Sequence, residues 1–193
     1  MSTGAAKELQ AAEHEIERLA KTIDELLVLS RAGEHDAPGE IVELGQAATD
    51  AIDRWSTIAI EHGNELLLRG DGREAPVWAA RADVDRALDA LVENAVLYSP
   101  HGTTITVSPR PGAIDVEDEG PGLRQGEEEK LFERFHRGRA GIEGPTGTGL
   151  GLPIARELAR RWGGEASIAN RDGRGARATL RFRDFASSSP GRG

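Results

Sequence analysis

Two glycine-bearing stretches of this 193-residue chain have the residue types and spacing of a pocket for an anionic ligand. Gly147-Thr148-Gly149-Leu150-Gly151-Leu152 runs into an apolar helical pattern, and some thirty residues earlier Asp118-Glu119-Gly120-Pro121-Gly122-Leu123 closes a strand-like run. Glycine lacks a Cβ and accepts positive φ, so such runs bring backbone N–H groups close to an anion. A helix starting near Leu150 would aim its positive end at the same place. Two common phosphate loops are excluded by their residues. The dinucleotide fingerprint needs Gly at its sixth position, here Leu152, and a preceding strand; the Walker loop needs a Gly-Lys-Ser/Thr ending that the chain lacks.

Asn94 is a third candidate. Val84, Ala87, Leu88, Leu91, Val92 and Ala95 recur at helical spacing, so residues 84–98 form a helix with one apolar face, and Asn94 interrupts the end of that pattern. By residue type it is either a core amide or a ligand, just as Asp118 by itself is either a turn former before Gly120 or a carboxylate with chemistry to do. Order along the chain separates these readings: a helix with Asn, then Asp-x-Gly-x-Gly, then a Phe-rich segment, then the second glycine run.

That order resembles the ATP-binding domain of sensor histidine kinases, within the wider family that includes gyrase-type and heat-shock-type ATPases. Leu131-Phe132-Glu133-Arg134-Phe135-His136-Arg137-Gly138 is similar to the phenylalanine box of those kinases, and the four motifs fall in register over residues 46–185. The resemblance implies an α+β fold: a two-layer α/β sandwich of Bergerat type, its mixed sheet covered by helices on one face and preceded by one long bundle-type helix. It implies ATP and Mg²⁺ as ligands. Asp118 would accept a hydrogen bond from the adenine amino group, selecting ATP over GTP. Gly120 and Gly122 would turn the chain beneath the base. Asn94 would offer its oxygen to Mg²⁺, which keeps several waters and bridges phosphate oxygens. Gly147, Thr148, Gly149, Leu150, Gly151 and Leu152 would surround the phosphates. Tyr98 would contact the nucleotide or join the core. Arg137 would neutralise charge on the γ-phosphate, a role the resemblance favours over that of a solvated Arg.

Three departures stand beside the match. Kinases of this family carry an Asn four residues before the metal ligand, and gyrase-type ATPases carry their hydrolytic Glu there; this chain has Ala90. Glu93 is a candidate substitute, although it is turned by about 100° from its neighbour on the helix. Leu97 stands where a basic residue often helps hold phosphates, so weaker Mg-ATP binding is expected. None of His14, His35, His62, His101 and His136 has the sequence context of a phosphoacceptor, and no metal-ligand spacing links them.

Positioning these groups falls to a chain whose 38% apolar content supports one core. Leu9, Ala12, Ile16, Leu19, Ile23, Leu26 and Ser30 follow a 3-4 spacing that marks a bundle seam needing partner helices. By resemblance, residues 1–33 are the second helix of a dimerisation and phosphoacceptor hairpin. Residues 34–44 read as linker, 45–185 as the ATP-binding domain and 186–193 as a disordered tail. Within the domain the patterns predict helices over 45–62, 83–98 and 149–162. They predict strands over 64–69, 75–79, 103–108, 113–118, 165–169 and 176–183. Residues 123–148, long and with few apolar anchors, read as a mobile lid.

Charge is uneven: residues 1–133 carry 12 Lys/Arg against 28 Asp/Glu, whereas 134–193 carry 12 against 5, so the basic part begins beside the phosphate motifs. An acidic chain without base-stacking motifs is a poor nucleic-acid binder. There is no Cys, no membrane-length apolar run and no signal-peptide pattern, which together point to a cytoplasmic setting. The expected activity is protein-histidine kinase, catalytic portion only, inactive in autophosphorylation as this chain alone. Its expected partners are a histidine-containing dimerisation domain or second kinase subunit, a response regulator downstream, and a second copy through the N-terminal helix. An anti-sigma-type serine kinase and a non-enzymatic ATP-responsive module are the alternatives.

Overall fold

Alternating Ile, Val and Thr in residues 103–118 pair as an antiparallel hairpin, and the rest of the domain is built outward from it. The computed structural model describes residues 3–30, 38–70, 76–138 and 147–183. In chain order the elements are α1 (Thr3–Ser30), β1 (Glu40–Glu43), α2 (Leu44–Glu61), β2 (Glu65–Leu68), β3 (Pro76–Ala79), α3 (Arg81–Tyr98), β4 (Thr104–Arg110), β5 (Ala113–Glu117), a 3₁₀ turn (Lys130–Phe132), α4 (Gly151–Arg161), β6 (Glu165–Asn170) and β7 (Ala176–Arg181).

The main sheet has the order β2-β4-β5-β7-β6, with β2 parallel to β4 and every other pair antiparallel. Register fixes which face is apolar: Val107 pairs with Val116, Val116 with Ala178, Ile114 with Leu180, and Leu180 with Ala166. All of these are buried. Residues one step out of phase carry ion pairs instead. Arg110 Nε donates to Asp115 Oδ2 (2.8 Å), and Arg177 Nε donates to Glu117 Oε1 (2.7 Å). A period of two thus gives the sheet one face for helices and one for polar groups. Helices α2, α3 and α4 cover the apolar face, as expected of a two-layer α+β sandwich.

Small residues let those helices lie close to the sheet and to one another. Ala47, Ala48 and Ala51 of α2, Val84, Leu88 and Val92 of α3, and Ala155 and Ala159 of α4 are wholly buried. Leu88→Ala is expected to lower the unfolding free energy by about 2–5 kcal/mol through lost transfer energy and a residual cavity. A urea transition with a lower midpoint and unchanged slope would show it.

Strand β1 lies inside the stretch 34–44 read above as linker. Four residues are too few for a periodic signal, and the strand owes its form to pairing with β3, Val42 opposite Val77. The remainder of the linker before residue 38, the lid residues 139–146 and the tail 186–193 lie outside the described residues. The other predicted helices and strands occur within one to three residues of their expected bounds.

Helix α1 presents two different sides. Leu9, Ile16, Leu19, Ile23 and Leu26, the 3-4 seam, are exposed, while Leu29 is buried in the domain core. No helix among the described residues is long and apolar enough to cross a membrane.

Candidate functional site

The sheet delivers Asp118 to the end of β5, where it is 7% exposed. Its Oδ1 accepts hydrogen bonds from the backbone N–H of Gly120 (2.7 Å) and of Ala176 (3.1 Å). Arg171 Nη1 donates to the Asp118 carbonyl at 2.6 Å. Burial pushes the carboxyl above the ordinary aspartate value, against the pull of those two N–H groups and of Arg171. One oxygen is therefore fastened to the backbone, and the side chain is presented to a cavity it helps to line. Gly120 belongs under this carboxylate: a Cβ there would stand 2.9 Å from both Asp118 Oδ1 and the Tyr98 carbonyl oxygen.

Opposite Asp118 lies the second glycine run, at the start of α4. No side chain caps this helix, and its first turn contains no acidic residue. Its unpaired N–H groups are an anion site of the ordinary helix-terminus kind. Thr148 Oγ1 accepts from the Leu150 N–H (3.3 Å), and Gly149, at φ 70°, accepts at its carbonyl from the Phe135 N–H (3.1 Å). A Cβ on Gly149 would come within 2.9 Å of the His136 carbonyl, so glycine is what allows the lid turn to close on this loop.

Helix α3 forms the wall between these ends, with Ala90, Glu93, Asn94, Leu97 and Tyr98 lining the cavity. The lid supplies His136 and Arg137. Its near end is held by Asn170, whose Oδ1 accepts from the Leu123 N–H (2.6 Å) and whose Nδ2 donates to the Leu123 carbonyl (2.9 Å). Its middle is held by Phe132, which is buried under the Arg156 guanidinium 3.6 Å from the ring centroid. The described part of the lid is thus anchored at both places.

Of the residues named from sequence, Glu93, Asn94, Tyr98, Asp118, Gly122, Arg137, Gly147, Thr148, Gly149, Gly151 and Leu152 all line one cavity. Gly120 and Leu150 are placed behind it. Leu150 is wholly buried, so its side chain serves the core. Lys21 and Glu25 of α1 also line the cavity. Nothing in the sequence separates them from other charged positions on a solvated helix face.

A carboxylate fastened at one end, an uncapped helix N-terminus at the other and an Asn between them line one cavity, with an acceptor for a hydrogen-bonding group at one end and N–H donors for an anion at the other. Comparison with known proteins agrees. The family model described as histidine kinase-, DNA gyrase B-, and HSP90-like ATPase matches residues 79–185. The chain belongs to this ATPase family. Among its relatives, the sensor histidine kinase WalK of Bacillus subtilis is 30% identical over 185 residues, spanning 91% of this chain and 30% of WalK. The sensor-like histidine kinase SenX3 of Mycolicibacterium smegmatis is 30% identical over 179 residues, 89% of this chain and 46% of SenX3. The chain therefore spans less than half the length of these curated relatives. Full-length ShkA, solved in complex with AMPPNP, shares the fold with a TM-score of 0.71 at 20% identity over 95% of this chain and 40% of its own.

The domain is accordingly a histidine-kinase-type ATPase domain, and its departures acquire a setting. Ala90 faces the N-terminus of α4: a Cβ built on Gly151 would lie 3.8 Å from the Ala90 Cβ. A small side chain there suits the close approach of α3 to α4. Glu93, the candidate substitute for the absent polar group, is engaged elsewhere, because its Oε1 accepts a hydrogen bond from the Lys21 ammonium.

Proposed function

We propose that this chain is the ATP-binding catalytic portion of a two-component sensor kinase, which transfers the γ-phosphoryl group of ATP to a histidine on a separate helical hairpin. The observation that carries the reading is the placing of Asp118, Asn94 and the α4 N-terminus around one cavity, with Arg137 on its lid side. The exposed seam of α1 supports the second half of it: an amphipathic helix with Leu9, Ile16, Leu19 and Ile23 in solvent needs partner helices, and a phosphoacceptor hairpin or a second copy would provide them. A response regulator would then receive the phosphoryl group.

The donor set fits Mg²⁺. The Asn94 amide oxygen is a hard, neutral ligand at the cavity wall, and a cation held by one protein oxygen, waters and phosphates is what Mg²⁺ prefers. Asp118 would orient the adenine, the α4 N–H groups and Arg137 would hold the phosphates, and the buried lid turn would limit water at the reacting oxygen.

Calorimetric titration with ATP, with Mg²⁺ or with EDTA, tests this reading. Asn94→Ala is expected to weaken binding about tenfold in Mg²⁺, equivalent to about 1.4 kcal/mol, and to change little in EDTA. An equal loss in both media would remove the ligand role, and no ATP binding in either would overturn the function. Ala90 and Leu97 favour a second reading, a non-catalytic ATP-responsive module, because each replaces a polar or basic group expected at the phosphates. Binding without transfer to any hairpin would select it.

A further inference from the structure

The phosphate end of the cavity already holds an anion, and it comes from the chain itself. Glu25 of α1 has a side chain only 9% exposed, and its carboxylate accepts a hydrogen bond from the Thr148 hydroxyl in the glycine run. Its Oε2 is buried with no hydrogen-bond partner. Lys21, one turn earlier, lies 4.0 Å from Glu25 Oε1 and donates to Glu93, the neighbour of Asn94. Both side chains of α1 therefore line the cavity, Glu25 beside Thr148 of the glycine run and Lys21 at Glu93 of the α3 wall. Burial pushes the Glu25 carboxyl above the ordinary glutamate value, only partly offset by Thr148 and Lys21, so its surroundings solvate the charge poorly.

We propose that Lys21 and Glu25 form a latch by which α1 closes the phosphate end of the pocket, with Glu25 standing in for the terminal phosphate, so that ATP binding and docking of this turn compete. The inference rests on the nucleotide reading above. A helix N-terminus with unpaired N–H groups attracts one anion well, and a second anion beside the first is repelled. Incoming ATP then displaces Glu25, while Lys21 is released from Glu93. Leu29, buried in the core, stays as the anchor about which the preceding turn lifts. By linkage, whatever factor the docked turn takes from ATP affinity, ATP takes from docking. Loading of nucleotide thus frees part of α1, which carries the exposed seam, to move relative to the domain.

The test compares ATP, ADP and adenosine binding by calorimetry for the full chain and for Glu25→Ala and Glu25→Gln, with hydrogen exchange read over residues 20–30. Both variants are expected to bind ATP about tenfold more tightly, within the usual range of coupling between two sites, with a smaller gain for ADP and none for adenosine. Gln keeps the size of the side chain and removes its charge, so its gain separates repulsion from packing. In the unsubstituted chain, ATP should speed exchange around Lys21 and Glu25 more than around Leu29. Unchanged ATP affinity in both variants would overturn the latch, as would equal gains for ATP and adenosine. Weaker ATP binding confined to Mg²⁺ would also overturn it and make Glu25 a metal ligand. In each of these cases ATP still binds and the nucleotide reading survives; failure of every form to bind ATP or adenosine would overturn both.

Discussion

Asp118→Asn is expected to weaken ATP binding by roughly 5- to 150-fold while leaving the fold in place. On the proposed reading the carboxylate has two tasks, and this substitution separates them. Its Oδ1 holds the N–H groups of Gly120 and Ala176, and an Asn oxygen can hold both. The other oxygen, the one that would meet the adenine amino group, becomes an NH₂. Two donors then face each other in a water-poor site, and an unmatched buried donor costs about 1–3 kcal/mol. Calorimetry should show the loss for ATP, and a thermal melt close to that of the unsubstituted protein would show that the turn survives. Because GTP offers a carbonyl where ATP offers the amine, the same variant should narrow the preference for ATP over GTP. Equal affinity of the unsubstituted chain for the two nucleotides would contradict the base contact. Asp118→Ala makes the contrast sharper: it leaves the Gly120 and Ala176 N–H groups without their acceptor, so it should lower the melting temperature as well as the affinity.

What was legible in the sequence is what local chemistry demands. The runs at 118–123 and 147–152 were readable because backbone approach to a ligand needs glycine, and the α3 wall because a helical period of apolar residues singles out Asn94 by interrupting it. Residues whose roles arise only from docking were not readable. Lys21 and Glu25 occupy ordinary charged positions on α1, and only the packing of that helix brings them to Glu93 and Thr148. Asn170 reads as a strand end, although its amide clasps both backbone groups of Leu123 across 47 positions of chain. Strand β1 depends on a partner, β3, that lies more than thirty residues downstream. The lid read as mobile because its composition is rich in glycine and charge, with only a short apolar turn around Leu131 to Phe135 to anchor it. Its anchorage comes from Phe132 under Arg156 of α4, a contact between segments that no local pattern joins.

Incubated alone with labelled ATP, the chain is expected to stay essentially unlabelled, and to label a separately supplied helical hairpin that carries an acceptor histidine. None of its own five histidines has the acceptor context, and His136, which among the described residues lines the cavity, lies on the lid between Phe135 and Arg137. Transfer needs an attacking nitrogen held in line with the γ-phosphoryl group, and a large part of the rate comes from that positioning. The exposed seam from Leu9 to Leu26 is the surface through which a hairpin could be held there. Label that is acid-labile and stable to base would identify phosphohistidine on the added partner. Arg137→Ala should cut the transfer rate by on the order of 10³ with a much smaller change in ATP affinity, because charge on the moving phosphoryl group is greatest in the transition state. A variant that lost affinity and rate equally would make Arg137 a binding residue only. Acid-stable phosphoserine on the partner would move the assignment to the serine-kinase alternative. Tight ATP binding with no transfer to any hairpin, even at saturating nucleotide, would favour the non-catalytic module. In that case Ala90 and Leu97 are the positions to restore, Ala90→Asn first. The restored amide must fit beside Gly151 at the mouth of α4, so regained transfer would show that the missing polar group, and not the close packing of α3 on α4, had limited the chemistry.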